Sequence, residues 1–310
     1  MTYDRRLFLK NSGLLASGIA FAGLGGCASP TDQTDGDKKD SASSDSTAAA
    51  KVAEHTLAQF GLQLYTLRDE LPKDPKGVLK QVASLGYKQV EGFEHDKGIF
   101  WGMTAKEFKS YLDGLGITMV STHCDYKKDF EKKAADAAEA GLKYLICPGV
   151  GAQKKLDDFK KIADDFNKHG DICKKNGLRF AYHNHAYPFV KQEGQLPQDV
   201  MMQNTNPETV DFEMDIYWVV VSGEDPIAWL KKYPNRFRLC HIKDRLKTAK
   251  PGEEDASTDL GLGSIDFKPI LKTAEENGMQ YYILEQERYD NSTPMKSAQV
   301  GAEYLKSFTF

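Results

Sequence analysis

Phe212-Glu-Met-Asp-Ile-Tyr-Trp218 is an apolar run broken by two carboxylates, and two later stretches follow its plan, Leu239-Cys-His-Ile-Lys-Asp244 and Tyr282-Ile-Leu-Glu-Gln-Glu287. Each reads as the end of a β-strand, and each sets a metal-capable side chain, Asp215, His241 or Glu285, just after apolar residues. In a parallel (β/α)8 barrel all strands point the same way. Residues at their C-terminal ends therefore converge on one mouth however far apart they lie in sequence.

Outward from these runs, apolar segments bounded by turn residues alternate with stretches of helical period, the signature of a parallel sheet covered by helices. Strands read at Phe60–Thr66, Gln89–Phe93, Thr118–Thr122, Tyr144–Pro148, Arg179–Asn184, Val210–Asp215, Arg238–Ile242 and Tyr281–Glu285, which makes eight. Helices read at Lys76–Leu85, Ala105–Leu115, Phe130–Ala140, Leu156–Asn176, Pro226–Lys232, Phe267–Asn277 and Ser297–Phe308. Gly86, Gly116, Gly141, Gly177 and Gly278 stand where left-handed helix caps are expected. The expected fold is α/β, a single (β/α)8 TIM barrel over residues 57–310, near the roughly 250 residues typical of that fold. Two long excursions, His185 to Glu208 with only Pro197–Gln203 helical and Asp244 to Gly263, fall at the C-terminal rim. Barrel enzymes place substrate contacts there.

The first 27 residues read as a targeting segment. Asp4-Arg-Arg-Leu-Phe-Leu-Lys10 resembles a twin-arginine export motif, and the apolar run Gly13 to Leu24 is 12 residues long. That is short of the roughly 20 a membrane span needs, so the segment reads as a signal peptide. Leu24-Gly-Gly-Cys27 resembles a bacterial lipobox, whose cysteine becomes the lipidated first residue; the alternative is a chance cysteine after a signal peptide. Residues 28–56 are expected to be a disordered polar linker, because Ala28 to Ala50 hold no aromatic residue and no Val, Ile or Leu with which to offset ordering entropy. The expectation is an exported lipoprotein anchored to the membrane through Cys27, in the periplasm or cell envelope.

A net charge of −4, from 41 Lys and Arg against 45 Asp and Glu, gives no basic patch for nucleic acid, which is not expected as a partner. Beyond Cys27, the cysteines at 124, 147, 173 and 240 follow strand or helix patterns without a CxxC and read as buried free thiols.

Strand alternation selects the side chains that share the mouth. In Arg179-Phe-Ala-Tyr-His-Asn-His185, His183 and His185 take one face and Asn184 the other. With His183, Asp215, His241 and Glu285 around one point, two imidazoles and two carboxylates suit one divalent ion, Mn2+, Zn2+, Co2+ or Fe2+, better than Ca2+. Lys243 lies on the face of His241 and is expected to steady an oxyanion, or else to pair with Asp244 or Asp266. Glu91, at the end of the second strand, is either a further catalytic carboxylate or half of an ion pair with a Lys or Arg. Tyr65, Trp101 and Trp218 are candidates to stack on a sugar ring, or else core residues. Gly261-Leu-Gly263 lacks the third glycine and the setting of a nucleotide loop.

The order of strand-end residues, His183, then Met214-Asp-Ile-Tyr-Trp218, His241-Ile-Lys243, Gly261-Leu-Gly-Ser-Ile-Asp-Phe267 and Glu285, resembles the xylose-isomerase-like TIM barrel superfamily. That group includes sugar phosphate isomerases and epimerases, inosose dehydratases and endonuclease IV-type AP endonucleases. The likeness runs from Gly61-Leu-Gln-Leu-Tyr65 to Glu285 and implies that Asp215, His241 and Glu285 are metal ligands. Family epimerases usually carry a Glu at the end of strand five, where this chain has His183. A symmetric two-base epimerisation is thereby disfavoured. His123 is similar to a position that binds an extra zinc in the endonuclease relatives, and here it is read as a substrate or supporting contact.

The chemistry these readings share is proton abstraction beside a carbonyl, with an ion stabilising the enediolate and Glu285 or His185 taking the proton. The expected function is a divalent-metal-dependent isomerase or epimerase acting on a small carbohydrate. The alternatives are a lyase or hydratase for a 3-keto-sugar or 3-keto-glycoside and a sugar-binding lipoprotein without turnover.

Overall fold

The computed structural model describes residues 56–57, 59–290 and 292–310. The signal peptide, Cys27 and all of the linker but Thr56 lie outside the described residues; Thr56 itself forms an isolated antiparallel bridge with Thr309. Among the described residues no helix is long and apolar enough to cross a membrane.

The strands in chain order are β1 (Gly61–Gln63), β2 (Gln89–Phe93), β3 (Thr118–His123), β4 (Tyr144–Cys147), β5 (Arg179–His183), β6 (Val210–Asp215), β7 (Phe237–Ile242), β8 (Asp244–Arg245), β9 (Ser257–Thr258) and β10 (Tyr281–Leu284). Eight of them close into one barrel in the order β1-β10-β7-β6-β5-β4-β3-β2, with every neighbour parallel. β8 and β9 form a separate antiparallel ribbon in the second rim excursion. The helices are α1 (Pro75–Ser84), α2 (Ala105–Leu115), α3 (Phe130–Ala140), α4 (Leu156–Lys175), α5 (Pro197–Asn204), α6 (Ile216–Val221), α7 (Pro226–Lys232), α8 (Phe267–Glu276) and α9 (Pro294–Ser307).

Local chemistry sets the helix ends. Thr104 and Glu107 close a capping box on α2, while Asp74, Asp215, Asp225, Asp266 and Thr293 each accept a first-turn N–H. The five expected glycine caps all have positive φ, between 67° and 95°. Two elements differ from expectation. The first strand stops at Gln63, because the Gln63 side chain accepts from Tyr65 N and starts a 3-10 turn over Leu64–Leu67. Ile216–Val221, a β-branched run that reads as no helix, is one, started by Asp215 as its N-cap.

Strand parity divides the barrel. Tyr144, Ile146, Ala181 and Leu239, with Tyr281 against them, form a small apolar cluster separate from the larger core. β6 is wholly buried, and its alternate acids Asp211, Glu213 and Asp215 form a column of one parity. Asp211, nearest the strand's start, pairs with Arg179 and accepts from Tyr144 Oη at 3.1 Å. The four cysteines among the described residues are buried and free.

Candidate metal centre

At the C-terminal end of that column Asp215 lies beside His241, its register partner on β7. Asp215 Oδ1 is occupied, accepting from Trp218 N at 3.1 Å as the cap of α6, which leaves Oδ2 turned to its neighbours. His183 Nε2 lies 3.5 Å from that oxygen and His241 Nδ1 3.8 Å from it, while His241 Nδ1 is 3.3 Å from Glu285 Oε2. The four residues expected to share a ligand shell, His183, Asp215, His241 and Glu285, present donor atoms all within 4.8 Å of one another. Three of those atoms, His183 Nε2, Asp215 Oδ2 and His241 Nδ1, are buried without a well-aligned hydrogen bond. Buried polar atoms are rarely left so, and two imidazole nitrogens plus carboxylate oxygens are a set that a first-row divalent ion takes.

Lys243 Nζ sits at the same place, 2.9 Å from Asp215 Oδ2, 2.8 Å from Glu285 Oε2 and 3.1 Å from Glu287 Oε2. The alternative of a bridge to Asp244 or Asp266 does not hold. Asp244 instead accepts the N–H groups of Arg245, Gly261, Gly263 and Ile265 and ties down the rim loop, and Asp266 caps α8. Burial alone raises carboxyl pKa values, but Lys243 and the histidines hold Asp215 and Glu285 well below the usual carboxylate range. Burial opposes charge on Lys243, yet the three carboxylates around it raise its pKa well above that of a free lysine. His183 is driven by burial to about 4 and is a neutral imidazole near neutral pH.

Deeper in the barrel Glu91, His123, Glu213 and His241 form a second group whose donor atoms also lie within 4.8 Å of one another. His241 Nε2 lies 2.7 Å from Glu91 Oε1, and His123 Nε2 lies 2.8 Å from Glu213 Oε2 and 3.1 Å from Glu91 Oε1. Glu91 has neither a Lys nor an Arg as partner, and a fully buried carboxylate with imidazoles on it is not open to a substrate at the mouth. Burial lowers the His123 pKa, but Glu91 and Glu213 outweigh it and bring it to about 9. The same burial, with Glu91 beside it, pushes Glu213 up to about 7. His123 thus has Nε2 committed to carboxylates rather than to a substrate.

The remaining candidates divide. His185 lies just past the end of β5, its ring 5.0 Å from that of His183 and 5.4 Å from Trp218, and burial with His183 beside it lowers its pKa to about 3. Lys243 Nζ stands 5.4 Å over the Trp218 ring, so Trp218, half-buried, borders the centre. Trp101 does not. Only 4% exposed, it packs edge-on against Phe93 and beside Phe108. Tyr65 leans on Phe93 too, with the Arg68 guanidinium 4.9 Å over its ring.

Glu213 and the polar residues Gln63 and Ser121, all fully buried, escaped the sequence reading. Strand parity from Asp215 back to Glu213 and Asp211 was the available signal for the glutamate. The ladder register shifts at Val90/Glu91 and at Phe212/Glu213, next to both glutamates of the deeper group. Such irregularities re-aim side chains and leave no mark in the local sequence pattern.

Residues 79–308 match the family model described as xylose isomerase-like TIM barrel. An inosose dehydratase of Clostridium beijerinckii (strain ATCC 51743 / NCIMB 8052) is 30% identical over 207 residues, which are 60% of this chain and 68% of the relative. One from Lacticaseibacillus casei is 28% identical over 273 residues, 82% of this chain and 87% of the relative. Clostridium perfringens proteins of the same name align over only 56% of their own length. The crystal structure of a sugar phosphate isomerase/epimerase from Parabacteroides distasonis ATCC 8503 superposes with a TM-score of 0.69 at 29% identity, covering 85% of this chain and 97% of that one.

Proposed function

The chain belongs to the xylose isomerase-like TIM barrel family, and from that premise we propose that it is a divalent-metal-dependent enzyme that removes a proton beside the carbonyl of a small keto-sugar or keto-polyol and releases a β-hydroxyl together with that proton as water. The observation that carries this reading is the convergence of His183, Asp215, His241 and Glu285, with His183 Nε2 and His241 Nδ1 buried and lacking a hydrogen bond. The names of the dehydratase relatives support elimination as the outcome. So does the strand-five position, where His183 replaces the second carboxylate that an opposite-face epimerisation uses.

A bound ion would be held by these four residues, and it would chelate the carbonyl and a hydroxyl and stabilise the enediolate charge. The same donors suit Mn2+, Zn2+, Co2+ and Fe2+ alike. Glu285 takes the proton at a carboxylate oxygen; its side chain is 7% exposed and is the most open of the four. Lys243 Nζ, 2.8 Å from that carboxylate, keeps it ionised. His185 stays neutral, so it offers one N–H and one lone pair to the substrate hydroxyls. Trp218 lies beside His185, their rings 5.4 Å apart, and offers an aromatic face at the centre.

A second reading, aldose–ketose isomerisation or epimerisation through the same enediolate, is favoured by the name of the Parabacteroides distasonis neighbour. Sugar binding without turnover does not call for a carboxylate set against Lys243 beside an ion. Export and anchoring through Cys27 belong to the proposal on sequence grounds alone.

The test is to load the protein with Mn2+, supply a panel of keto-polyols and keto-sugars in D2O, and follow C–H exchange and water loss together. Exchange with loss of water supports elimination, and exchange with a rearranged sugar supports isomerisation. No exchange with any carbonyl compound that binds would overturn both.

A further inference from the structure

Glu91 never reaches the mouth, yet its carboxylate is among the most tightly held groups in the barrel. Gln63 Nε2 donates to Oε1 at 2.7 Å, Ser121 Oγ donates to Oε2 at 2.5 Å, and His241 Nε2 lies 2.7 Å from Oε1. We infer that Glu91 is a positioning residue for the metal centre, fixing His241 with Nε2–H on the carboxylate and the Nδ1 lone pair toward Asp215 and Glu285. The inference rests on the metal reading above and adds to it a residue that touches neither ion nor substrate.

A histidine ligand gives the ion one nitrogen, and the other ring N–H needs an acceptor that sets tautomer and ring angle. At His241 Nε2 the acceptors are Glu91 Oε1 at 2.7 Å and, more distant, Glu213 Oε2 at 3.4 Å. Turning the ring by half a revolution puts carbon where both nitrogens stand, losing the Glu91 contact and the 3.3 Å approach of Nδ1 to Glu285 together. Only one ring orientation therefore serves both sides.

Gln63 and Ser121 between them hold both oxygens of the Glu91 carboxylate in place. Each places a donor on a different oxygen of Glu91. Because the Ser121 hydroxyl can rotate to accept, an amide here would turn its NH2 to Ser121 Oγ, keep its oxygen on Gln63 and His241, and lose the negative charge that makes His241 a stronger ligand. The opposite orientation, with the NH2 facing His241 Nε2, would select the tautomer with the proton on Nδ1, which cannot ligate through that atom. The ladder irregularity at Val90/Glu91 fits the same purpose, because β3 pairs Ser121 rather than Val120 with Glu91 and so delivers the hydroxyl.

Cobalt absorption tests this on the intact protein. Metal-free parent, Glu91→Gln and Ser121→Ala are titrated with Co2+, and circular dichroism and thermal unfolding are recorded without metal. Glu91→Gln is expected to bind Co2+ ~10–100-fold more weakly. Ser121→Ala keeps the charge and frees one oxygen, with an expected loss of ~5-fold, that of one hydrogen bond. A purely structural Glu91 would lower thermal stability and leave the Co2+ affinity of the folded protein at the parent value, which overturns the inference. If Glu91→Gln does not fold, parent-like affinity in Ser121→Ala overturns it equally. A parent that binds no Co2+ instead removes the metal reading itself, an outcome distinct from the other two.

Discussion

Asn184 grips the backbone of Asp215 across the β5–β6 pair, its Oδ1 accepting from Asp215 N at 3.2 Å and its Nδ2 donating to Asp215 O at 3.3 Å. Both groups are buried, and the grip holds Asp215 where its two oxygens part, Oδ1 to the N-terminus of α6 and Oδ2 to the proposed ion. Asn184→Ala leaves a buried N–H and C=O without these partners and is expected to cost about 1–3 kcal/mol in urea unfolding. It should also weaken ion binding. A variant as stable as the parent would mean that the amide contributes nothing to setting Asp215.

Ion binding itself is read by thermal unfolding. An ion that binds only the folded state adds about 2.7 kcal/mol at a hundredfold excess over Kd, so chelation should lower the Tm and Mn2+ or Zn2+ should restore it. His183→Ala and Asp215→Ala each remove a donor atom and should abolish the restoration. Equal metal-dependent gains in parent and both variants would place the ion elsewhere.

The deeper group gives a pH signature of its own. His123 is raised to about 9 in the folded protein by Glu91 and Glu213, which outweigh burial. A histidine raised in this way contributes stability that is complete below its ordinary pKa of about 6.5 and is lost as pH rises through about 9. The metal-free protein is therefore expected to lose stability between about pH 6.5 and 9, by at most ~1.4 kcal/mol per pH unit from this residue. His123→Gln should flatten that limb. If parent and variant fall in parallel, His123 is not the group that titrates.

The barrel and its metal-capable corner were legible because both depend on local pattern. Eight apolar runs, five capping glycines and the strand ends at Asp215, His241 and Glu285 are each visible within a few residues, and parallel strands bring them together without further information. The layer below was not legible. Glu213 and Ser121 acquire their partners through ladder irregularities set by packing across strands, and Lys243 has acidic neighbours in sequence, Asp244 and Asp266, that turn out to serve the rim loop and α8. Trp101 reads in sequence as either a sugar platform or core for a related reason, since an aromatic residue in a rim loop looks the same whether it faces a sugar or Phe93 and Phe108, and its packing is with the latter.

Glu285→Gln separates the two proposed duties of that carboxylate. The amide keeps an oxygen for the ion but lacks the basicity to accept a proton, so C–H exchange should fall by ~10²–10⁴. Ion binding should weaken less than in His241→Ala, which deletes a donor outright. Exchange near the parent rate with metal bound would make Glu285 a ligand alone and move the base to His185.

Lys243→Met is the sharpest test of how charge is arranged at the centre. Lys243 is buried and faces the two oxygens that an ion would use, Asp215 Oδ2 and Glu285 Oε2, so its ammonium and a divalent ion compete for the same negative charge. Methionine nearly keeps the side chain's length without its charge. In the absence of metal the variant leaves buried carboxylates uncompensated, and a loss of about 3–5 kcal/mol in unfolding free energy is expected. With the ammonium gone, the carboxylates attract an ion more strongly, so Co2+ affinity should rise while metal-free stability falls. The two changes have opposite signs and come from one substitution, which separates competition from general damage to the fold. A variant that loses stability and binds Co2+ more weakly would show instead that Lys243 orients the carboxylates for the ion, and the competitive arrangement would be wrong.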